Sequence, residues 1–434
     1  MDAQTTGQSA PQDEQAIIAW LQQNAIPLRH IEAENGFADL QPLKRILADA
    51  KVVGLGETTH GTREFFQIKH RLLEFLVTEM AFNAFVIEAS YAACQPINEY
   101  VLHGRGDRAT VLTGQGYIPW DTEEFSEMLN WLRAYNQGVP NEKKVSFHGA
   151  DLWRNEIGRK AVLAYLCKVA PGEVAAADSL FEILAREEAK WPSRIDEECK
   201  KTLGQVLPQL QGLIDHLTAN KDEFARSSSS AEFDHALHYT QVMQQWVLAN
   251  TAEVPQQSRS PFMAENLIWL VEHGRPDARY VVWAHNGHVN LGRDVSLGHC
   301  LREKYGQGYY AFGFEFNQGA FQSRTQLSDT VLGDLKAITL PPAPAGSLPW
   351  VLSRTNLGNL MLDLRAPAGD PAIERWLHTP QIVHNANWVC PDGFQFNVEK
   401  SIAQEYDGIV FVERTTPTRP TANALKTAAD REGL

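Results

Sequence analysis

Apolar positions along this chain follow two alternating patterns. Short continuous apolar runs of strand length occur at Lys51–Leu55, Ala84–Ile87, Val145–Phe147, Tyr280–Ala284, Tyr309–Phe316, Leu360–Leu364 and Ile409–Val412. Between the first two, Phe65, Phe66, Ile68, Leu72, Leu73, Phe75 and Leu76 recur at the three- and four-residue spacing of one helix face, which predicts a helix over Arg63–Met80. Further helices are predicted at Asp13–Asn24, Asp39–Ala50, Ala93–Leu102 and Thr122–Asn136, the last with Thr122 as its N-cap. Strands that are apolar on both faces and alternate with helices predict an α/β fold. Its mostly parallel central sheet is flanked by helices on both sides.

The rhythm breaks between Arg154 and Trp269, where only helical spacing is seen, interrupted by Ser227–Ser230 and by the polar stretch Val254–Pro261. This region is read as a helical insertion or cap, residues 154–269, that forms one wall of a cleft. The α/β core then comprises residues 13–153 and 270–415. Residues 1–12 are read as a disordered N-terminus, and residues 416–434 as an irregular or weakly helical tail.

Polar residues recur at the ends of the predicted strands. Glu57 and His60 follow the first, Glu88 the second and Asp151 the third, while His285 and His288 follow the fourth, in VVWAHNGHV. Ligands of an open parallel sheet bind beyond the carboxyl ends of its strands, so four segments deliver acids or imidazoles to one edge. Spacing alone is not specific. EFDHALH, Glu232–His238, carries the same Glu-x-x-His on a predicted helix, where a solvated face is the better reading. Glu57 and His60 differ from it in context, flanked by Gly54, Gly56 and Gly61 at a strand end. A capping role for Glu57 beside a helix N-terminus remains open on these grounds, as does an N-cap role for Asp151.

Composition narrows the chemistry. A net charge of −14 disfavours nucleic-acid and anionic-membrane partners and suits a small-molecule ligand. No apolar run reaches the length of a membrane span, and the polar N-terminus does not resemble a secretory signal. Five scattered cysteines, none in a CxxC pair, fit a reducing cytoplasm. A monomer or small homo-oligomer is expected. There is no Gly-x-Ser-x-Gly elbow and no phosphate-binding glycine loop. Histidines and carboxylates without a nucleophilic side chain suit hydrolysis by an activated water, with no cofactor. The same residues could instead hold a metal, with Glu57, His60, His285 and His288 as ligands, or bind a ligand such as haem without catalysis.

The segment GLGETTHGTREFFQIKHRLLEFLVTEMAFNAFVIEAS resembles the first signature of the erythromycin esterase family. INEYVLHGRGD, WLRAYN, VSFHGAD, VVWAHNGHV and YDGIVFVERTTPTRP resemble its later blocks in order. The resemblance implies a cytoplasmic hydrolase of carboxylic esters or lactones without a serine nucleophile. In it His60 is the general base, Glu57 and Glu88 are supporting carboxylates, and His285 and His288 are further active-site imidazoles. Lys69 falls at the family's basic helix position, which is arginine in some resistance members. Trp120 and Asp151 are candidates, with Lys69, for contacting substrate. Macrolide-resistance members read His-Phe where this chain has His60-Gly61, a pairing found in the broader family of mostly undefined substrates. The resemblance therefore bears more directly on a hydrolase than on a macrolide substrate.

Overall fold

A computed structural model describes residues 11–190, 196–253, 255–292, 295–326, 332–366, 368–391 and 396–430. Most of the predicted N-terminal disorder falls outside these residues; Pro11 and Gln12 open the first helix, Pro11–Asn24. The strands are β1 (Ile26–Pro27), β2 (Val52–Leu55), β3 (Ala84–Ser90), β4 (Ser146–Asp151), β5 (Tyr280–Trp283), β6 (Tyr309–Gln326), β7 (Leu332–Leu340), β8 (Leu360–Asp363), β9 (Gln381–His384), β10 (Val389–Pro391), β11 (Asn397–Lys400) and β12 (Gly408–Thr415). The main sheet runs β1-β8-β12-β6-β2-β5-β3-β4. Its six strands from β12 to β4 are parallel, and β8 is antiparallel to β12. The far half of β6 also carries β7, antiparallel, and β10, parallel, while β9 and β11 form a separate two-stranded ribbon.

Successive residues of each strand enter opposite cores, because side chains alternate across a pleated sheet. Val52, Val86, Val282 and Ala311 point into one cluster; Val53, Phe85, Val281 and Tyr310 point into the other. Both faces are covered, which is why the strands read as unbroken apolar runs. The second cluster is closed by the Arg63–Met80 helix, whose Phe65, Phe66, Phe75 and Leu76 are buried. Each such side chain contributes about 1.5–3 kcal/mol relative to exposure. This helix stops at Ala81, which adopts a left-handed conformation at φ 58°. The first cluster is closed by the helical run, Glu156–Val169 through Pro255–His273, which shares one continuous core with the sheet.

The structure departs from the predicted pattern in two places. The stretch read as a break at Val254–Pro261 lies within the Pro255–His273 helix, with Pro261 inside it; Val254 is outside the described residues. Ser227–Ser230 does interrupt two helices, and Ser229 caps the second by accepting from Glu232 N–H. The segment beyond Thr415 is not loose: Arg63 N–H donates to Thr416 O, Thr418 N–H to Gly61 O and Arg419 Nε to Glu124, after which Ala422–Asp430 is helical. Among the described residues, no helix is long and apolar enough to cross a membrane.

Candidate active site

β2, β3, β4 and β5 run parallel with their ends aligned, so Glu57, Glu88, Asp151 and His285 emerge at one edge. Glu57 is fully buried and receives three donors. Lys69 Nζ and Trp283 Nε1 reach Oε2 at 2.6 and 2.7 Å, and His60 Nδ1 lies 2.7 Å from Oε1. Burial alone would raise the Glu57 pKa, but the Lys69 charge and the His60 hydrogen bond outweigh it and hold the carboxyl below its ordinary value. Lys69 is equally buried, its ammonium over the Trp283 ring at 4.4 Å. Burial pulls its pKa down to about 8, with Glu57 resisting the drop. The pair is therefore ionised at neutral pH. An ionised Glu57 can only accept, so the His60 proton sits on Nδ1. Nε2 makes no hydrogen bond among the described residues and is left as a free acceptor.

A second cluster lies beside it. Arg259 donates from Nε and Nη2 to Asp151 at 3.2 and 2.5 Å, and from Nη2 to Glu88 Oε1 at 3.0 Å. Tyr117 Oη also donates to Asp151, at 3.1 Å, and the His285 N–H donates to Glu88 Oε2 at 2.8 Å. Burial opposes ionisation of Glu88, but His288, His60 and Arg259 hold it well below the usual carboxylate range. His288 Nε2 lies 3.2 Å from Arg259 Nη1 and 3.1 Å from Glu88 Oε1, and Nδ1 lies 2.6 Å from Ser260 Oγ. Unprotonated, Nε2 accepts from the guanidinium; protonated, it donates to Glu88. His285 is fixed differently: Nδ1 accepts from Gly287 N–H, and Nε2 donates to Ala386 O at 3.0 Å. Burial and its neighbour His60 press its pKa down to about 4, so it is a neutral imidazole with both nitrogens engaged.

Three buried carboxylates, Glu57, Glu88 and Asp151, thus face two cations, buried Lys69 and partly buried Arg259. The unbalanced negative charge falls next to His60. Burial would lower the His60 pKa, but the hydrogen bond to Glu57 and the charges of Glu88 and Glu57 raise it above 6.5.

All eight residues picked out by sequence lie in this assembly, though not all in the same layer. Lys69, Trp120 and Asp151, expected to contact substrate, are at most 1 % exposed. Lys69 supports Glu57 and Asp151 anchors Arg259. Trp120 donates its indole N–H to Glu88 O at 2.9 Å and packs edge-on to His60 with ring centres 5.6 Å apart. His60 and His288 retain accessible side-chain surface, 14 and 13 %. The four residues of the metal alternative do not converge as ligands. His285 has no free nitrogen, His60 and Glu57 bond each other, and Lys69 and Arg259 place cations among them. Among the described residues, no group of three or more His, Cys, Asp or Glu could hold a metal ion.

Sequence reading missed Arg259, Ser260 and Tyr117. Arg259 lay in the polar stretch read as a helix break. Three acids predicted at one edge with only Lys69 to balance them were the signal that a second cation was needed.

The profile of the erythromycin esterase family matches residues 77–415. The chain belongs to the erythromycin esterase family. It is 24% identical to erythromycin esterase type II of Escherichia coli over 333 residues, covering 69% of this chain and 77% of that protein. It is 22% identical to a putative hydrolase, YbfO, of Bacillus subtilis strain 168, covering 92% and 91%. Among solved structures, a Bacillus cereus protein aligns with a TM-score of 0.82 at 23% identity, covering 94% of this chain and 99% of that one. The erythromycin esterase EreC, a histidine-to-asparagine variant in its open conformation, aligns at 0.69 and 16% identity, covering 88% and 95%. These structures share the fold.

Proposed function

We propose that this protein hydrolyses a carboxylic ester or lactone with a water activated by His60. The observation that carries the reading is the three-donor hold on Glu57, which calls for the imidazole proton on Nδ1 and leaves Nε2 without a hydrogen bond among the described residues, on a ring that keeps accessible surface. Nε2 takes a proton from water as the water oxygen bonds to the carbonyl carbon. The resulting imidazolium is stabilised by ionised Glu57 and Glu88, a general-base contribution of about 10²–10⁴ in rate. The oxyanion is met by the Arg259–His288 side of the site. The Asp151–Arg259–Glu88 clamp fixes that side, so little reorganisation is needed as charge develops.

The cavity bordered by His285, His288 and Ser260 has a volume of about 270 Å³. Pockets for drug-sized ligands run from about 300 to 1,000 Å³. The cavity, which His60 adjoins across His285, is therefore sized for a small ester, and an erythromycin-type macrolactone requires the walls to part. Gly61 enters the same argument. A Cβ on it would lie 1.9 Å from Gln322 O, so the glycine lets the His60 turn lie against β6. A Phe at this position needs a different course for β6, hence a differently walled cleft.

The test is mass spectrometry of erythromycin and of a panel of small alkyl and aryl esters incubated with the protein. Gain of one water by a small ester, abolished in His60→Asn, supports the reading. Full turnover by His60→Asn contradicts the base assignment, and no turnover of any ester contradicts the reaction class.

A further inference from the structure

Among the described residues, a buried carboxylate meets a histidine Nδ1 twice at this sheet edge. Glu315, inside the apolar strand β6, is 3% exposed and faces His384 at the end of β9. His384 Nδ1 lies 2.8 Å from Glu315 Oε1, and the His384 backbone N–H donates to Oε2 at 2.7 Å. The Phe316 N–H also donates to Oε1, at 2.9 Å, and the imidazole stacks on the Phe316 ring with centres 4.5 Å apart. This matches the hold on His60: a carboxylate supplied with other donors, an imidazole bonded through Nδ1, and an Nε2 with no hydrogen bond among the described residues.

The second pair borders a cavity that His285, the ring neighbour of His60, borders as well. His384 borders the same cavity as His285, His288 and Ser260. The chain at His384–Ala386 is tied to the first pair: Thr58 Oγ1 donates to His384 O at 2.7 Å, Ala386 N–H to Thr58 O at 3.0 Å, and His285 Nε2 to Ala386 O. His285 in turn lies against His60, ring centres 5.1 Å apart. A packing role alone requires neither the buried acid on Nδ1 nor the open Nε2. Burying an unpaired acid in an apolar strand is costly, whereas an apolar residue there would pack without penalty.

We infer that His384, oriented by Glu315, is the general acid that protonates the departing alcohol of the ester. The inference rests on the hydrolase reading above. His60 Nε2 removes a proton from water as the C–O bond forms. When the tetrahedral oxyanion collapses, the bond from carbonyl carbon to alkoxy oxygen breaks, and that oxygen takes the Nε2 proton of the His384 imidazolium. The proton held by His60 returns to His384 through solvent, so ester and water become acid and alcohol with no other reactant. The two imidazoles divide the work: one acts on the entering water, the other on the leaving group.

The dependence of rate on the leaving group distinguishes this from a structural role. An aryloxide departs readily without a proton; an alkoxide does not. Wild type and His384→Asn are compared on an alkyl and an aryl ester of the same acid. The alkyl-to-aryl ratio of kcat is expected to fall about 100-fold in the variant. Glu315→Gln, which can still accept from the His384 backbone N–H, is expected to shift the ratio in the same direction by less, and it serves if His384→Asn does not fold. An unchanged ratio in both variants overturns the assignment of His384 while leaving the hydrolase reading intact. A wild type that turns over neither ester overturns the hydrolase reading and this inference with it.

Discussion

Glu57 and His60 stand three residues apart at the end of a buried strand; Glu232 and His235 stand three residues apart at the exposed start of a helix. The first pair is joined at 2.7 Å and anchored by Lys69 and Trp283. In the second, Glu232 turns outward to Lys168 and to its own capping Ser229, while His235 lies beside Trp269 at 5.2 Å. One turn further, His238 stacks flat on the same indole at 4.2 Å, and burial presses its pKa down to about 3, so it is a neutral packing element. Spacing brings a glutamate and a histidine within reach in both segments. A reactive dyad needs more: a second layer that ionises the acid, fixes the proton on one ring nitrogen and leaves the other open.

The sharpest way to break the comparison is to remove the imidazoles in turn. His60→Asn is expected to lower kcat/KM about 10²–10⁴-fold with little change in melting temperature, because Lys69 and Trp283 still satisfy Glu57. His238→Asn should leave kcat/KM unchanged and cost about 1 kcal/mol of stacking in a urea titration. Equal kinetic losses in the two variants would erase the distinction.

Next in size is the second layer itself. Arg259→Met leaves Glu88 and Asp151 buried without their cation, a loss of about 3–5 kcal/mol in chemical denaturation at neutral pH. The sign of its pH dependence is fixed. Arg259 helps depress the Glu88 pKa, so its contribution is present above the ordinary carboxylate range and is lost as pH falls through the folded-state value. The gap between wild type and variant should therefore narrow on acidification; a gap that widens would place the stabilisation elsewhere. A smaller cost, about 1–3 kcal/mol, is expected for Gly61→Ala, whose methyl must displace the β6 backbone at Gln322. Smallest of all is Glu232→Gln, for which calorimetry should detect no shift in melting temperature, since an exposed pair is screened by water.

Much of the site was legible because it is built on strands. Val52–Leu55, Ala84–Ile87 and Tyr280–Trp283 announce themselves as apolar runs, and whatever polar residue ends such a run is carried to the ligand-binding edge. Arg259 was hidden for the opposite reason. Its segment is locally polar and contains Pro261, both signs of a break, yet tertiary contacts hold it as helix, and the buried acids recruit its guanidinium. Glu315 was passed over as one polar letter in an aromatic strand. Its partner His384 comes from a short ribbon, Gln381–His384 with Asn397–Lys400, that has no strong periodicity of its own. Lys69 and Trp120 were found, but their depth was not: sequence identifies residues near a site more readily than it tells a wall from the layer beneath it.

The central claim is that Glu57 tunes His60 as the base. The measurement that addresses it most directly is the pH profile of kcat/KM on a small ester, for wild type and Glu57→Gln. Neutral His60 is the active form, and its pKa is raised, so the wild-type rate should climb with pH through a midpoint above 6.5. In Glu57→Gln the largest opposing influence, burial, is less countered, so the midpoint should fall. The plateau should drop as well, because the proton is no longer fixed on Nδ1. A variant with the wild-type midpoint and plateau would show that the carboxylate does not govern the base, and the account would fail.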